Sequence, residues 1–456
     1  MTMEAPAVLW FRRDLRLADH AALLTAAGHS KHLLALYVLD ERLLQPAGTP
    51  RTAFLLDSLR ALDAALGGRL LVRRGDPVRE VVAAAREIGA SAVHVTADLG
   101  PYGRRRDEAV AKALAEHRIE WVATGSPYAV TPGRVTKPDG SPYRVFTPFR
   151  RAWDRHGWPR PADTSASTVD WVPPRKSGGI PESPALGGMR QPAAGEAAAL
   201  EVWQEFLDDG IAHYAEERDR PDHEGTTRMS AYLRWGNIHP RTMLADLAGD
   251  SSEGAQALRG ELCWREFHAD VLWHRPETAR ENYDRRFDRM RHDTGAPARE
   301  AFELWCAGRT GFPIVDAGMR QLLAEGWMHN RVRMVVASFL VKDLHLPWWW
   351  GARHFMRHLV DGDLASNQLN WQWVAGSGTD AAPYFRIFNP TTQGQKFDPQ
   401  GDYVRRYVPE LRGVAGKAVH VLKERPEGYP VPMVEHAEER QVALQRYGSI
   451  TGNSPQ

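Results

Sequence analysis

Between Ala7 and Thr124 short apolar runs alternate with amphipathic stretches, and this alternation constrains the fold more than any other feature of the chain. Val8 to Phe11, Leu33 to Leu39, Leu70 to Val72, Ala92 to Val95 and Ile119 to Val122 read as strands. Thr52 to Leu66, Pro77 to Ile88 and Arg104 to His117 read as helices between them. Strand and helix in alternation predict an α/β unit with a parallel, doubly wound, Rossmann-like sheet. Such a sheet often holds a dinucleotide. The first turn, Phe11 to Leu17, runs through Arg-Arg-Asp-Leu-Arg and has no glycine, so the fingerprint that lets a backbone approach a pyrophosphate is missing. A cofactor lodged here is not held as NAD is.

The character changes after residue 130. Seven prolines fall between Pro159 and Pro192, which reads as a long surface connection. From Glu196 the pattern is helical, with Ala197 to Tyr214, Pro240 to Ala248, Gly260 to Trp273, Pro313 to Leu323 and Trp327 to Leu344 as the clearest segments. The organisation expected is therefore an α/β domain over 1–130, a linker over 131–195 and a larger all-α domain over 196–456. No internal repeat is visible. The 58 Lys+Arg against 57 Asp+Glu leave a net charge of +1, so a polyanion needs a local patch. Cys263 and Cys306 are the only cysteines, which excludes a disulfide scaffold, a four-cysteine zinc site and an iron-sulfur cluster. No signal peptide and no apolar run near the ~18 residues of a membrane span occur, so a soluble, cytoplasmic protein is expected.

Tryptophan is unusually frequent. There are 16, against 14 Phe and 12 Tyr, and nine lie between Trp264 and Trp373. Glu261, Trp264, Arg265 and His268 share a helix face at spacings of three and four. A carboxyl beside an indole suits a pocket that stacks a flat ligand and hydrogen-bonds its edge; a buried Trp flanked by surface ion pairs satisfies the same pattern. Trp327, Asn330 and Met334 form a second stripe, with Arg331 and Arg333 alongside needing partners if buried. From Asp361 to Arg386 an irregular, aromatic and acidic segment includes Trp371, Trp373, Pro383 and Tyr384, and such a segment lines a site more often than it serves as a spacer. Asp361 and Asp363 lack a His or Cys cluster at ligand spacing, so no metal is expected. Thr226, Thr227, Arg228, Met229 and Ser230 precede a helix, where they cradle a phosphate or serve only as caps.

In this order the motifs resemble the photolyase/cryptochrome family of flavoproteins, specifically class I cyclobutane-pyrimidine-dimer photolyases. The resemblance covers nearly the whole chain. It is strongest over Glu261 to Phe267, over Thr310 to Lys342, and over Asp361 to Gly394, which ends in Phe-Asn-Pro-Thr-Thr-Gln-Gly. It implies FAD, working as FADH⁻, folded within the helical domain. Tyr214 and Thr226 to Ser230 would clasp its phosphates and ribityl chain; Trp327 and Asn330 would wall the cavity. Arg333 would pair with Asp361 beside the isoalloxazine, with Gly362 between the two acidic positions, Asp363 on the pyrimidine edge and Asn367 facing N5. A neutral amide there can adapt its hydrogen bond to either protonation state of N5.

The implied reaction is light-driven repair of damaged DNA. One electron passes to a flipped-out pyrimidine dimer, its two cyclobutane bonds open, and the electron returns. Base flipping is the device by which photolyases reach a lesion within a duplex. Trp264 and Trp373 would stack the dimer, Glu261 would donate a hydrogen bond to it, and Met334 would pack against it. Arg218, Arg265, Arg331 and Arg386 would meet backbone phosphates. Trp371 and Trp348 match the inner and middle positions of the family's electron relay, but Met290 to Gly295, where the outer one is expected, contains no Trp. Trp349 and Trp350 are candidate exits. Tyr102 and Gly103 replace the Asn-Glu pair of folate-binding relatives, which favours an 8-hydroxy-deazaflavin antenna over folate, near Arg51, Asp98 and the turn Phe11 to Asp14. A monomer with no membrane contact is expected.

Three alternatives stand beside this reading. A cryptochrome-like blue-light sensor is disfavoured by the retained Glu261, Trp264, Met334 and Asn367, and by a chain that ends at Gln456 without a long extension. A (6-4) photoproduct enzyme is disfavoured by Met, in place of His, at 334. A helical nucleic-acid binding protein would use its tryptophans only as stacking platforms.

Overall fold

Five of the expected strands are present, each within one or two residues of its predicted bounds: β1 (Ala7–Phe11), β2 (His32–Leu39), β3 (Leu70–Arg74), β4 (Ala92–Val95) and β5 (Glu120–Ala123). They form a wholly parallel sheet in the order β3-β2-β1-β4-β5. A computed structural model describes residues 5–165, 169–174, 178–380 and 385–452. Pro383 and Tyr384 lie outside the described residues. All five residues of β1 and seven of the eight in β2 are buried, because helices cover both faces. Strand order reverses between β1 and β4, so their carboxyl ends flank the crevice where such sheets bind ligands. There Arg12 donates to the carbonyl of Thr96 and pairs with Asp107 at 3.0 Å.

The stretch expected to be an irregular linker contains regular structure. Helix α1 (Phe146–His156) buries Phe146, Phe149, Ala152 and Trp153, a helical spacing that the following prolines masked in the sequence. A short strand β6 (Asp170–Trp171) pairs with the start of β2. Further along come α2 (Glu253–His274), α3 (Pro313–Glu325), α4 (Asn330–Ser338), α5 (Trp348–His358), α6 (Leu364–Ala375), α7 (Pro390–Phe397) and α8 (His436–Thr451). Helix α4 runs on through a π-helical turn, Phe339–Asp343. The single helix expected over Ala197 to Tyr214 is interrupted: an α-helix ends at Glu205, a π-helical turn covers Phe206–Gly210, and Tyr214 opens a separate short helix.

Packing groups the chain into two units. One comprises Met1–Leu186, Pro192–Ala212 and Thr227–Pro276; the other comprises Gly187–Gln191, His213–Thr226 and Glu277–Gln456. This cut differs from the compositional one at residue 195, since α2 groups with the sheet although its own sequence is purely helical. The first unit has a core of sheet residues such as Val8, Trp10, Leu36 and Val93 against Val81, Val110 and Leu114. The second has an all-helical core built from α3 to α6, including Met319, Val336, Leu340, Phe355 and Trp371.

Candidate active site

Helix α4 starts later than its hydrophobic period suggested. His329 caps it, Nδ1 accepting from the amide of Arg331 at 3.2 Å, so Trp327 precedes the helix and does not share a helical stripe with Asn330 and Met334. Asn330 is exposed and Trp327 half-buried. Arg333 donates through Nε to the carbonyl of Met328 at 2.8 Å, and through Nη2 to Asp361 at 2.8 Å. It also lies 5.9 Å from the ring of Trp327. Asp361 is buried, and its second oxygen, Oδ1, has no hydrogen-bond donor among the described residues. Such an atom calls for a donor from a bound group, because an unpaired buried acceptor is costly.

Gly362 follows, and Asp363 then caps α6, its Oδ1 accepting from the amide of Ser366 at 3.1 Å. One turn on, Asn367 is buried and spends its amide hydrogens on the carbonyl of Ala352 at 3.1 Å and on Gln368 Oε1 at 2.8 Å. This holds the amide in one orientation with Oδ1 as the remaining group, an acceptor. So placed, the side chain suits a donor such as a protonated ring nitrogen. Gln372, which the sequence did not single out, is fully buried on the same helix. It bridges the amide of Tyr283 and the carbonyl of Thr278, both at 2.8 Å.

The aromatic positions are held firmly. Trp371 is buried against Phe355 at 5.0 Å and Trp305 at 6.2 Å between ring centroids. Trp348 donates to Asn282 Oδ1 at 3.0 Å and meets Trp349 edge-on at 5.9 Å. Trp349 lies against His292, which burial holds neutral by pushing its pKa down to about 4, in the segment where an outer tryptophan was expected. Trp373 donates to the carbonyl of Asp380 at 3.1 Å. Tyr214 is buried and carries Arg218 5.7 Å from its ring. Arg331 pairs with Asp219 at 2.8 Å and reaches the sulfur of Met334 at 3.7 Å. Together with Arg386 it lines a cleft of about 550 Å³.

The other candidates belong to the sheet-containing unit, except Thr226, which closes a segment of the helical one. Arg228 adopts a left-handed backbone at φ +52°, and Thr227 Oγ1 accepts from the amide of Met229 at 3.3 Å ahead of a helix that starts at Ser230. On α2, Glu261 and Trp264 are half-buried. One face of Trp264 is covered: Phe146 of α1 stacks on it at 3.6 Å with the planes 7° apart. Arg265 is committed to the carbonyls of Pro127 at 2.9 Å and Leu233 at 3.2 Å, and lies over Tyr128 at 4.5 Å. Its guanidinium therefore braces the loop before α1 as well as sitting on the expected face. Glu266, overlooked in the sequence because it sits inside a longer motif, is buried and accepts from the amides of Ala129 and Val130 and from Trp153 Nε1. Burial raises its pKa to about 7 against those hydrogen bonds.

Family profiles match the two halves of the chain: one described as DNA photolyase covers residues 7–166, and one described as the FAD binding domain of DNA photolyase covers 258–449. A deoxyribodipyrimidine photo-lyase of Streptomyces griseus is 40% identical over 454 residues, covering 95% of this chain and 97% of its own. The chain belongs to the DNA photolyase family. Among solved structures, a bacterial class III photolyase from Agrobacterium tumefaciens superimposes with a TM-score of 0.91 at 38% identity, covering 99% of each chain. An archaeal photolyase from Sulfolobus tokodaii with two FAD molecules does so with a TM-score of 0.85 at 30% identity, covering 97% of this chain and 100% of that one. The photolyase fold is thus an α/β domain plus a helical FAD-binding domain, and the activity is that of a deoxyribodipyrimidine photo-lyase, a DNA-repair flavoenzyme. The buried acceptors of Asp361 and Asn367 fit a flavin, whose ring offers N–H donors. Among the described residues no helix is long and apolar enough to cross a membrane, and no three His, Cys, Asp or Glu side chains are grouped to hold a metal.

Proposed function

We propose that this photolyase repairs cyclobutane pyrimidine dimers, acting as a cytoplasmic monomer with residues 196–456 as the catalytic domain and 1–130 as the antenna domain. The observation that carries the flavin assignment is the acceptor left on Asp361 beside its pair with Arg333. Reduced FAD, when bound, supplies one electron under light and takes it back after bond cleavage. Arg333 holds Asp361 in place, Asp363 and Asn367 present acceptors to the ring edge, and Tyr214 with Thr226 to Ser230 holds the phosphate end. Trp264 and Trp373 stack the everted dimer, while Glu261 supplies a hydrogen bond where charge develops. Met334 offers a thioether, not an imidazole, to the lesion, which favours cyclobutane dimers over (6-4) photoproducts.

A repair assay on paired cyclobutane and (6-4) oligonucleotides tests this reading. Repair of the first alone is expected, and Glu261→Ala lowers the repair yield more than it lowers binding. Repair of the (6-4) substrate alone, or of neither, overturns it.

For the antenna, Tyr102 and Gly103 in place of the Asn-Glu pair of folate-binding relatives favour 8-hydroxy-deazaflavin, near Arg51, Asp98 and the Phe11 to Asp14 turn. Gly103 leaves room for Asp98 there: a Cβ at 103 would come 2.2 Å from its carboxyl carbon. Arg106 in turn pairs with Asp98 at 3.1 Å. Chromatography of chromophores released from the purified protein decides between deazaflavin, folate and a second FAD.

A further inference from the structure

Segment 126–130 is irregular, yet all five of its residues are buried, so its backbone groups need partners from elsewhere in the protein. Arg265 of α2 donates to the carbonyl of Pro127 at 2.9 Å, and the next residue, Glu266, accepts from the amides of Ala129 and Val130, the latter at 3.0 Å. His239 completes the grip. Its Nδ1 accepts from the amide of Arg241 at 3.1 Å, so Nε2 donates to the carbonyl of Ser126 at 2.9 Å. Glu266 also accepts from Trp153 Nε1 of α1 at 2.6 Å. Three N–H groups thus converge on one carboxylate that is only 2% exposed, and all three donors are neutral. That is a costly way to join two helices when apolar contact would serve.

What the carboxylate fixes is the seat of α1 on α2. Phe146, Phe149 and Trp153 lie on one buried face of α1 at spacings of three and four. Trp153 meets Glu266, Phe149 meets Phe267 at 5.1 Å, and Phe146 meets Phe267 at 5.9 Å while stacking on Trp264. Phe267 and His268 flank the same indole at 5.7 and 5.5 Å between ring centroids. Trp264 is half-buried, and without the Phe146 stack its ring would be free to turn among its staggered rotamers.

We infer that Glu266 is a positioning residue for lesion recognition: by holding Trp153 and segment 126–130 it seats α1, and Phe146 then fixes the indole of Trp264 in the orientation that stacks the everted dimer. This rests on the stacking role proposed above for Trp264 and adds the reason for its orientation. A ring ordered beforehand loses no rotational freedom when the dimer arrives. It therefore raises affinity for the lesion and leaves contacts with undamaged DNA as they are.

The test is fluorescence anisotropy of the flavin-loaded protein with two labelled duplexes of one sequence, one of them carrying a thymine dimer. Glu266→Gln keeps the shape of the side chain but turns an amide N–H2 toward one of the three donors. It is expected to weaken binding of the damaged duplex roughly three- to tenfold and to leave the undamaged one unchanged. In protein labelled with fluorotryptophan, the Trp264 signal of the fluorine NMR spectrum, recognised by its absence from Trp264→Phe, should broaden or split in the variant. Circular dichroism checks that the variant folds. Trp153→Phe removes one donor, leaves both amides on Glu266, is expected to act in the same direction, and decides the matter if Glu266→Gln does not fold. An unchanged ratio of the two affinities, an equal loss on both duplexes included, overturns the positioning role, and so does an unmoved Trp264 signal. A wild-type protein that binds both duplexes equally overturns the stacking reading, and the positioning role with it.

Discussion

Arg333 Nη2 lies 2.8 Å from Asp361 Oδ2, while the other oxygen of that carboxylate is buried without a donor. The pair is therefore half-satisfied, and each partner depends on the other. Arg333→Leu leaves a buried, unpaired carboxylate and should cost about 3 kcal/mol in urea unfolding, with a lower flavin-to-protein ratio. The double variant Arg333→Leu/Asp361→Leu should regain stability in the flavin-free protein but not flavin retention. Recovery of both would mean that the pair is purely structural.

Phe146 stacks on Trp264, so α1 supports the ring that the proposed function sets against the lesion. Phe146→Leu keeps much of the buried volume and loses the stack, worth about 1 kcal/mol. A small drop in thermal midpoint is expected, together with weaker binding of dimer-containing DNA and unchanged binding of undamaged DNA, both read by anisotropy.

Acid should destabilise the protein through buried imidazoles. Burial lowers the pKa of His94 and His292 to about 4 and that of His354 to about 3, further depressed at His94 by His29 and at His354 by His358. Between pH 6.5 and about 4 the unfolded chain binds protons that the folded one refuses, so stability is full above 6.5 and falls as pH drops through that window. The slope is up to about 1.4 kcal/mol per pH unit for each group. Neither ring nitrogen of His94 has a partner among the described residues. His94→Leu should therefore flatten the pH profile of the urea midpoint by one proton without loss at pH 7.

Gly351 lets α5 approach α6. A Cβ there would come 2.1 Å from Cη2 of Trp371 and 2.6 Å from Cδ2 of Leu340. Gly351→Ala should cost about 2 kcal/mol and alter tryptophan fluorescence. Gly413→Ala, where a Cβ meets nothing within 4 Å, should stay within about 0.5 kcal/mol of the wild type.

The strands could be read from the sequence because each is a continuous apolar run, and burial on both faces of a parallel sheet demands that composition at every position. Helix α1 was hidden because its four buried residues are followed at once by proline-rich chain. The start of α4 was misplaced because the hydrophobic period continues back to Trp327, whereas the cap is set by a single imidazole, His329. The residue types of the site, carboxylates among tryptophans, were visible as a motif. Their partners were not. Arg333 finds Asp361 across 28 residues, Glu266 reaches Ala129 across 137, and Phe146 covers Trp264 from another helix. Local periodicity depends on chain neighbours and is written in the order of residues. Which oxygen is left without a donor and which ring is left uncovered depend on side chains brought together from distant positions, and only the packed structure decides them.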